Sequence, residues 1–164
     1  MIAHPQNPYA LFKYVGEEMC GLFHSLYDLP VVCLRYFNVY GERQSTTGAY
    51  ATVIGIFLNQ KKSGKPLTIV GNGKQLRDFT YVGDVAKANV AAMRSRKAIG
   101  HLINIGSGTN YSVNEVAGMI DKNHKFIPPR LGETRVTLAD ISKAKKILGW
   151  KPRVSLENWV KKQI

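Results

Sequence analysis

The chain has 164 residues, of which 45% are hydrophobic and 21% charged, so it can form one globular domain or most of one. Its 23 Lys and Arg residues exceed its 11 Asp and Glu residues by 12, which favours anionic partners without choosing among nucleic acid, lipid and phosphorylated ligands. Because no apolar run reaches the ~18 residues of a membrane helix, and no zinc-finger, basic-zipper or RNA-binding signature is present, we expect a cytoplasmic protein with no membrane or nucleic-acid partner.

The first predicted element is a long helix over residues 7–27, in which Asn7 caps the amino end and Pro8 fits the first turn. Its apolar residues recur at helical spacing and are Leu11, Val15, Met19, Leu22, Phe23 and Leu26. A near-continuous apolar run over residues 31–37 then predicts a strand that is buried on both faces. This pairing of helix and strand indicates an α/β fold.

The rest of the chain alternates short strands and helices. Ser112 and Glu115 have the spacing of a capping box at a helix start, and Gly149 ends a later helix. Extended segments are predicted at residues 66–70, 76–82 and 102–105, and helices at residues 49–60, 84–95, 112–122, 140–148 and from 155 onward.

Two cysteines, Cys20 and Cys33, lie within these apolar periodic segments. Neither belongs to a Cys-x-x-Cys pair or to a His-paired metal spacing. We therefore expect buried, reduced thiols and no metal site.

Tyr9 and Lys13 are separated by four positions on the first helix, so their side chains lie on one face about 40° apart. An ammonium group close to a phenol favours the phenolate electrostatically, and a phenolate is a usable general base. The same spacing also arises as a surface pair on many helices. Spacing alone leaves both interpretations open.

Further motifs surround this pair in a fixed order. They are PYALFKYVGEE at 8–18, LRYFNVYGERQ at 34–44, GKPLTIVGNG with Gln75 and RDFTYV at 64–82, NIGSG at 104–108, PRLGE with ADISKA at 129–144, and LGWKP at 148–152. The series closely resembles the extended short-chain dehydrogenase/reductase family, and within it the NAD-dependent nucleotide-sugar epimerases and dehydratases. The resemblance spans nearly the whole chain and implies a Rossmann-like α/β core with a smaller substrate-binding region.

The resemblance implies a protein that binds NAD and a UDP- or TDP-sugar. Tyr9 matches the family's catalytic base, which takes the proton from the sugar 4-hydroxyl in a 4-epimerase. Lys13 matches the lysine that favours the phenolate and holds the nicotinamide ribose. Tyr36 occupies the position whose surroundings meet the nicotinamide, at the carboxyl end of a strand, where α/β folds place ligands.

Two further residues match the family's contacts to the sugar diphosphate. Asn38 matches an asparagine that hydrogen-bonds the diphosphate, although an asparagine after a strand also caps turns. Arg77 matches the arginine on the nucleotide phosphates, where a planar guanidinium bridges two oxygens. The alternative for Arg77 is an ion pair with Asp78 or Asp84.

Arg130 and Glu133 lie on the family's Pro-Arg-x-Gly-Glu loop. The arginine suits a phosphate, and the glutamate suits donors on the ribose or the uracil. The alternative is a plain surface salt bridge. If the loop binds the nucleotide, part of the positive charge of the chain binds the diphosphate.

The glycine-rich Gly-x-x-Gly-x-x-Gly element that cradles the cofactor pyrophosphate in this family is not found in the sequence. Residues 106–111 lie between a strand and a helix, but Tyr111 stands where the third glycine belongs, so this loop is not predicted to bind the cofactor. The sequence thus predicts the carboxyl-terminal half of such an enzyme. Residues 1–44 would belong to the Rossmann-like core, and residues 45–164 mainly to the nucleotide-sugar region.

The leading hypothesis is half of a UDP-sugar 4-epimerase that is inactive alone, either a natural truncation or one piece of a split enzyme whose amino-terminal half is supplied in trans. A fragment of a TDP-glucose 4,6-dehydratase, or of a UDP-glucuronate epimerase or decarboxylase, fits the same motifs. A non-catalytic nucleotide-sugar-binding or dimerisation module is the third hypothesis, with a homodimer formed through the helix at 8–27. An exposed apolar stripe on that helix would favour the module.

Overall fold

The computed structural model describes residues 4–48 and 51–164. The helices are α1 (Pro8–Tyr27), α2 (Val53–Lys62), α3 (Val82–Arg94), α4 (Val113–Ile120), α5 (Ser142–Leu148) and α6 (Leu156–Val160). The strands are β1 (Cys33–Tyr36), β2 (Val39–Tyr40), β3 (Leu67–Val70), β4 (Leu76–Asp78), β5 (Thr80–Tyr81), β6 (Leu102–Ile105), β7 (Asn110–Ser112) and β8 (His124–Ile127). The predicted α/β class is confirmed.

The strands associate in pairs. β1 lies parallel to β6, with Cys33 opposite Leu102 and Tyr36 opposite Ile105. The pairs β2–β5 and β3–β8 are also parallel, whereas β4 and β7 are antiparallel. Parallel pairing places the carboxyl ends of β1 and β6 side by side, which is the end where ligands bind in α/β folds.

Local sequence signals correctly predicted several helix ends. The Asn7 side chain accepts a hydrogen bond from the backbone N–H of Ala10 at 2.9 Å, as expected of a cap. The capping box of Ser112 and Glu115 is present in both directions, and Gly149 ends α5 in the left-handed conformation. The start predicted for the second helix, at residues 49 and 50, lies outside the described residues.

Several predicted bounds differ from the structure, and three strands, β2, β7 and β8, were not predicted. The strand predicted over residues 31–37 as buried on both faces spans only Cys33–Tyr36 and has no buried residue, because within the described residues it pairs along one edge only. Helix α3 begins two residues earlier than predicted, and α5 begins two residues later, because residue Asp140 instead accepts a hydrogen bond from the Ser142 N–H. Strand β8 was not predicted, since three of its four residues are exposed and give no apolar pattern. Its pairing with β3 is a long-range contact that the local sequence does not encode.

Buried apolar side chains form two clusters. One lies among α2, β3, α4 and α6, with Phe57, Ile69 and Trp159 at its centre. The other lies among α3, β6 and α5 and includes Ile103 and Trp150. Neither cluster contains a residue of α1.

Helix α1 has no buried residue along its 20 positions. Its half-buried face is mostly polar and includes Tyr14, Glu17 and His24, and Glu17 makes a bidentate ion pair with Arg35 of β1. The apolar stripe faces away from the rest of the described chain. Its members are Leu11, Val15, Met19, Leu22 and Leu26, each between 44% and 62% exposed.

The cysteines are less buried than the sequence predicts. Cys20 on α1 and Cys33 on β1 are free thiols of intermediate exposure. Their side chains face each other between α1 and β1, where the polar face of α1 packs against the strand. Burial and the neighbouring Cys20 thiol raise the pKa of Cys33 to about 11, so this thiol stays protonated at neutral pH.

Candidate functional site

A pocket of about 280 Å³ brings four predicted site residues together. Asn38, Arg77, Arg130 and Glu133 all line it, although they are far apart in sequence. Strand β4 supplies the first arginine, the segment between β1 and β2 supplies the asparagine, and the loop after β8 supplies the other two. In the part of the chain that the structure describes, Tyr9, Lys13 and Tyr36 lie outside this pocket.

The wall of the pocket combines apolar and polar groups. Phe57 and Phe79, both buried, contribute apolar surface, and the amino end of α2 contributes Thr52. The Thr52 hydroxyl accepts from the Gly55 N–H and donates to Gln44, so it is held in place. An apolar wall with a few charged groups at the mouth is typical of sites for nucleotide-sized ligands.

Arg77 is the most enclosed cationic group of the pocket. Its side chain is 12% exposed, and its Nη2 donates to Oε1 of Glu133 at 3.1 Å. The alternative pairing with Asp78 or Asp84 is wrong, because both carboxylates face other segments of the chain. The guanidinium is thus held across the pocket mouth by the loop that carries Glu133.

Asn38 is tied to the strand that carries Arg77. Its Nδ2 donates to the backbone oxygen of Asp78 at 2.8 Å and to Oγ1 of Thr137 at 3.3 Å. The backbone oxygen of Asn38 accepts from the N–H of Thr80 at 3.2 Å. These contacts hold the residue between β1 and β4, which leaves its amide oxygen as the group able to face a ligand.

The predicted Tyr9–Lys13 pair forms on α1. The Nζ of Lys13 lies 5.4 Å from the centroid of the Tyr9 ring, within the range of a cation–π contact. Tyr9 is 68% exposed, so its hydroxyl is open to a ligand or to another polypeptide. Tyr36, at the end of β1, donates from its hydroxyl to Oδ1 of Asn89 at 2.8 Å.

One loop connects the pair to the pocket. Gly132 lies between Arg130 and Glu133, and a Cβ at Gly132 would lie 3.9 Å from the Cβ of Asn7, the cap of α1. Tyr9 is two residues beyond that cap. The amino end of α1 and the pocket mouth therefore adjoin the same loop.

The loop at residues 106–108 has its backbone donors already engaged. The N–H groups of Ser107 and Gly108 donate to the carboxylate of Asp78 at 2.7 and 3.0 Å. A pyrophosphate cradle needs such groups free, so the structure agrees with the prediction that this loop does not hold the cofactor.

Sequence reasoning missed two residues at this site. Asp78 entered only as an alternative partner for Arg77, and Thr137 was not considered. Both act through backbone segments that meet only in the folded chain. The one available signal was the acidic residue directly after Arg77, on the opposite face of a predicted strand.

The described residues contain neither a metal-binding cluster nor a membrane-spanning helix. Among residues 4–48 and 51–164, no three His, Cys, Asp or Glu side chains gather as a metal site would require. Over the same ranges, none of the helices combines the length and apolar character of a membrane span.

Comparison with known proteins identifies related sequences. The profile described as the NAD dependent epimerase/dehydratase family matches residues 1–106. A putative UDP-glucose 4-epimerase of Methanocaldococcus jannaschii is 43% identical over 167 residues, covering 98% of this chain and 53% of that protein. The chain thus spans about half the length of the curated relatives that it matches.

Solved structures give the same picture. The UDP-glucose 4-epimerase of Thermotoga maritima, determined with UDP-glucose, superposes with a TM-score of 0.92 at 39% identity, over 98% of this chain and 53% of that one. The UDP-glucuronic acid 4-epimerase of Bacillus cereus, determined with UDP-glucuronic acid and NAD, gives 0.89 at 37% identity, over 98% and 52%.

Proposed function

This chain belongs to the NAD-dependent epimerase/dehydratase family, and from that premise we propose that it is the carboxyl-terminal half of an NAD-dependent UDP-sugar 4-epimerase. The observation that carries the proposal is the gathering of Asn38, Arg77, Arg130 and Glu133 around one pocket. The adjoining loop meets the end of α1 that bears the Tyr9–Lys13 pair. Substrate anchoring and proton transfer would thus lie on neighbouring elements.

The pocket would bind the nucleotide diphosphate. Arg77 and Arg130 offer planar, charged donors to phosphate oxygens. Both amide hydrogens of Asn38 are engaged by Asp78 and Thr137, so Asn38 would offer its amide oxygen to a hydroxyl of the ribose rather than a donor to the diphosphate, which corrects the sequence-based expectation. When the diphosphate enters, it replaces Glu133 as the partner of Arg77. Glu133 then becomes free to accept hydrogen bonds from the ribose or the uracil.

Tyr9 would act as the base of the reaction. Its phenolate takes the proton of the sugar 4-hydroxyl and later returns it, and the ammonium of Lys13 stabilises the phenolate. NAD, which Lys13 and Tyr36 would hold at its nicotinamide end, would supply the hydride acceptor and donor for C4 of the sugar. The sugar turns between the two transfers, while the diphosphate stays held by the arginines.

The residues present fit only one end of the cofactor. Lys13 and Tyr36 would hold the nicotinamide ribose and the ring. A glycine-rich cradle for the pyrophosphate is not found in the described residues, since the N–H groups of Ser107 and Gly108 serve Asp78. We infer that the rest of the cofactor site belongs to an amino-terminal half.

That half would cover α1 and the free edge of β1. Within the described residues, β1 pairs with β6 along one edge only, although strands of parallel sheets are normally covered on all sides. Five stripe residues of α1 are each about half exposed, and burying them would contribute about 4–8 kcal/mol. This is comparable to the whole stability of a small domain. The roughly half-length match to relatives argues that the cover is the missing half of the fold.

The exposed stripe on α1 also favours a second candidate function, a non-catalytic module that dimerises through the helix at 8–27. Within the enzyme class, a UDP-glucuronate epimerase or decarboxylase, or a TDP-glucose 4,6-dehydratase, would use the same pocket. These differ in the sugar, which the named pocket residues do not contact in the proposed pose.

Nucleotide binding by the chain alone tests the pocket. We expect UDP to bind with a dissociation constant in the high micromolar to millimolar range, because only part of the complete site is present. Uridine is the control, since it lacks the phosphates that Arg77 and Arg130 would hold. A ligand-detected NMR titration in which UDP binds no better than uridine would contradict the proposal.

A reconstituted enzyme tests whether an amino-terminal half is the partner that covers α1. The part of the Thermotoga maritima epimerase that this chain does not match would be mixed with the chain, or joined ahead of it. We expect a one-to-one complex by light scattering that Leu22→Lys on the stripe disrupts and Ile164→Lys, at another exposed apolar position, does not. A homodimer of the chain alone, equally sensitive to Leu22→Lys, would favour the dimerisation module.

A further inference from the structure

Asp78 carries a fully buried carboxylate that joins three segments of the chain. Its Oδ1 accepts from the N–H and the hydroxyl of Ser107 at 2.7 and 2.8 Å. Its Oδ2 accepts from the N–H groups of Gly108 and Ala139, each at 3.0 Å. Four donors around one carboxylate amount to a built clamp between β4, the loop after β6 and the segment before α5.

The neighbouring backbone is shaped to admit this carboxylate. A Cβ at Gly106 would lie 2.9 Å from Oδ2 of Asp78 and 2.2 Å from the Cβ of Ala139. Both separations are too short for real side chains, so glycine is required there. The clamp therefore requires both the aspartate and the glycine at position 106 of the loop that packs against it.

The clamp also aligns the segment that leads away from the pocket loop. Residues 135–137 run beside β4, with the N–H of Leu76 donating to Arg135 and the N–H of Thr137 donating to Leu76. The Ala139 N–H on Oδ2 of Asp78 extends this alignment by two residues. Glu133 lies two residues before the segment, so its approach to Arg77 depends on where the segment is held.

Asp78 also reaches Asn38 through its backbone. Its carbonyl oxygen accepts from Nδ2 of Asn38, and its N–H donates to Oγ1 of Thr137 at 3.1 Å. Because Thr137 also accepts from Nδ2 of Asn38, these three residues form a closed set of contacts. Arg77 is next in the strand and points to the opposite face, into the pocket.

We propose that Asp78 is the positioning residue of the nucleotide pocket, setting the placement of Asn38, Arg77 and Glu133 toward a nucleoside diphosphate that it does not itself touch. The inference rests on the proposed function, since it assumes that the pocket binds such a ligand. The proposal gives Asp78 a role in ligand binding, which the burial of its carboxylate alone does not imply.

The test compares two buried aspartates by UDP titration of the full chain. In Asp78→Asn an amide replaces the carboxylate that accepts four hydrogen bonds. Because the NH2 group of the amide cannot accept, the donors that face it lose their acceptor. Asp84→Asn is the matched control, because Asp84 is equally buried but holds the N–H groups of Arg153 and Val154 away from the pocket. We expect UDP affinity to fall about tenfold in Asp78→Asn and to stay within about twofold in Asp84→Asn, while thermal unfolding shows that both are folded.

A double-mutant cycle separates positioning from a general loss of stability. Arg77→Ala should cost clearly less affinity in the Asp78→Asn background than in the natural chain, because a displaced Arg77 has less binding left to lose. In the Asp84→Asn background its cost should be unchanged. Equal costs in all three backgrounds would overturn the proposal.

A second pair of variants covers the case in which Asp78→Asn does not fold. Thr137→Val removes the oxygen that accepts from Asp78 and Asn38 but keeps the shape of the side chain, and Thr137→Ser keeps the oxygen. We expect weaker UDP binding in the first and near-natural binding in the second. Natural affinity in Thr137→Val, or in folded Asp78→Asn, would refute the positioning role of Asp78. Failure of UDP to bind the natural chain would instead refute the proposed function.

Discussion

Replacing Arg77 with alanine removes the most enclosed positive charge of the pocket. In the free chain its guanidinium holds Glu133, an interaction worth about 0–1 kcal/mol because the carboxylate is partly exposed. With a diphosphate bound, the same group would make a charge-assisted hydrogen bond that contributes about 1.5–3 kcal/mol. After subtracting the lost pair, we expect Arg77→Ala to weaken UDP binding by about 0.5–3 kcal/mol, or about 2- to 150-fold.

A ligand-detected NMR titration with UDP measures this change, and Arg94→Ala provides the control. Arg94 is exposed at the end of α3 and lies outside the pocket, so its removal lowers the net charge equally. Arg130→Ala should weaken UDP binding as well, but nearer the lower bound, because Arg130 is exposed. Equal UDP affinity in Arg77→Ala and Arg94→Ala would mean that the pocket does not bind the phosphates, and the reasoning would fail.

Three further predictions concern the catalytic pair and the cysteines. The chain alone, given NAD and UDP-glucose, should show no epimerisation above background by product analysis, because the groups that would orient the cofactor are incomplete; clear turnover would contradict this. In the fused enzyme, Lys13→Ala should lower activity and move the pH optimum upward, because the Tyr9 phenolate loses its nearest positive charge; an unchanged pH profile would remove Lys13 from the mechanism. Since its pKa is raised to about 11, Cys33 should carry about one thiolate in 1,000 at pH 8, so mass spectrometry should show slow iodoacetamide labelling that accelerates toward pH 11; rapid labelling at pH 8 would be incompatible with this environment.

The local elements could be predicted because their signals lie within a few residues. Asn7 and Pro8 locate the start of α1, and the Ser112–Glu115 box locates the start of α4. The order of the motifs in this one sequence was enough to suggest the family, which the comparisons confirm. The membership of the pocket followed from that resemblance, since no local pattern brings Asn38 close to Arg130.

Orientation and long-range pairing could not be predicted. The spacing of Leu11, Val15 and Leu22 indicates an apolar face, but periodicity does not say whether that face meets the same chain, another chain or water. In the structure it is exposed, because the Glu17–Arg35 ion pair turns the opposite face toward β1. Cys20 lies on that opposite face and, like Cys33, is half-buried rather than fully buried.

The partner of Arg77 is a second case. Sequence proximity suggested Asp78 or Asp84, whereas strand geometry directs Asp78 to the opposite face of β4 and places Glu133 across the pocket mouth. A contact between residues 56 positions apart depends on the course of the loop after β8. Such contacts arise from tertiary packing, which local propensity does not determine.

The proposal that this chain carries the proton-transfer half of an epimerase is tested most directly by single-turnover reduction of NAD in the fused enzyme with UDP-glucose, followed by absorbance. We expect NAD reduction in the natural sequence and none in Tyr9→Phe, with UDP-glucose affinity within a few-fold in both, because the hydroxyl acts mainly in the transition state. NAD reduction at the natural rate in Tyr9→Phe would show that α1 is only structural and that the catalytic assignment is wrong.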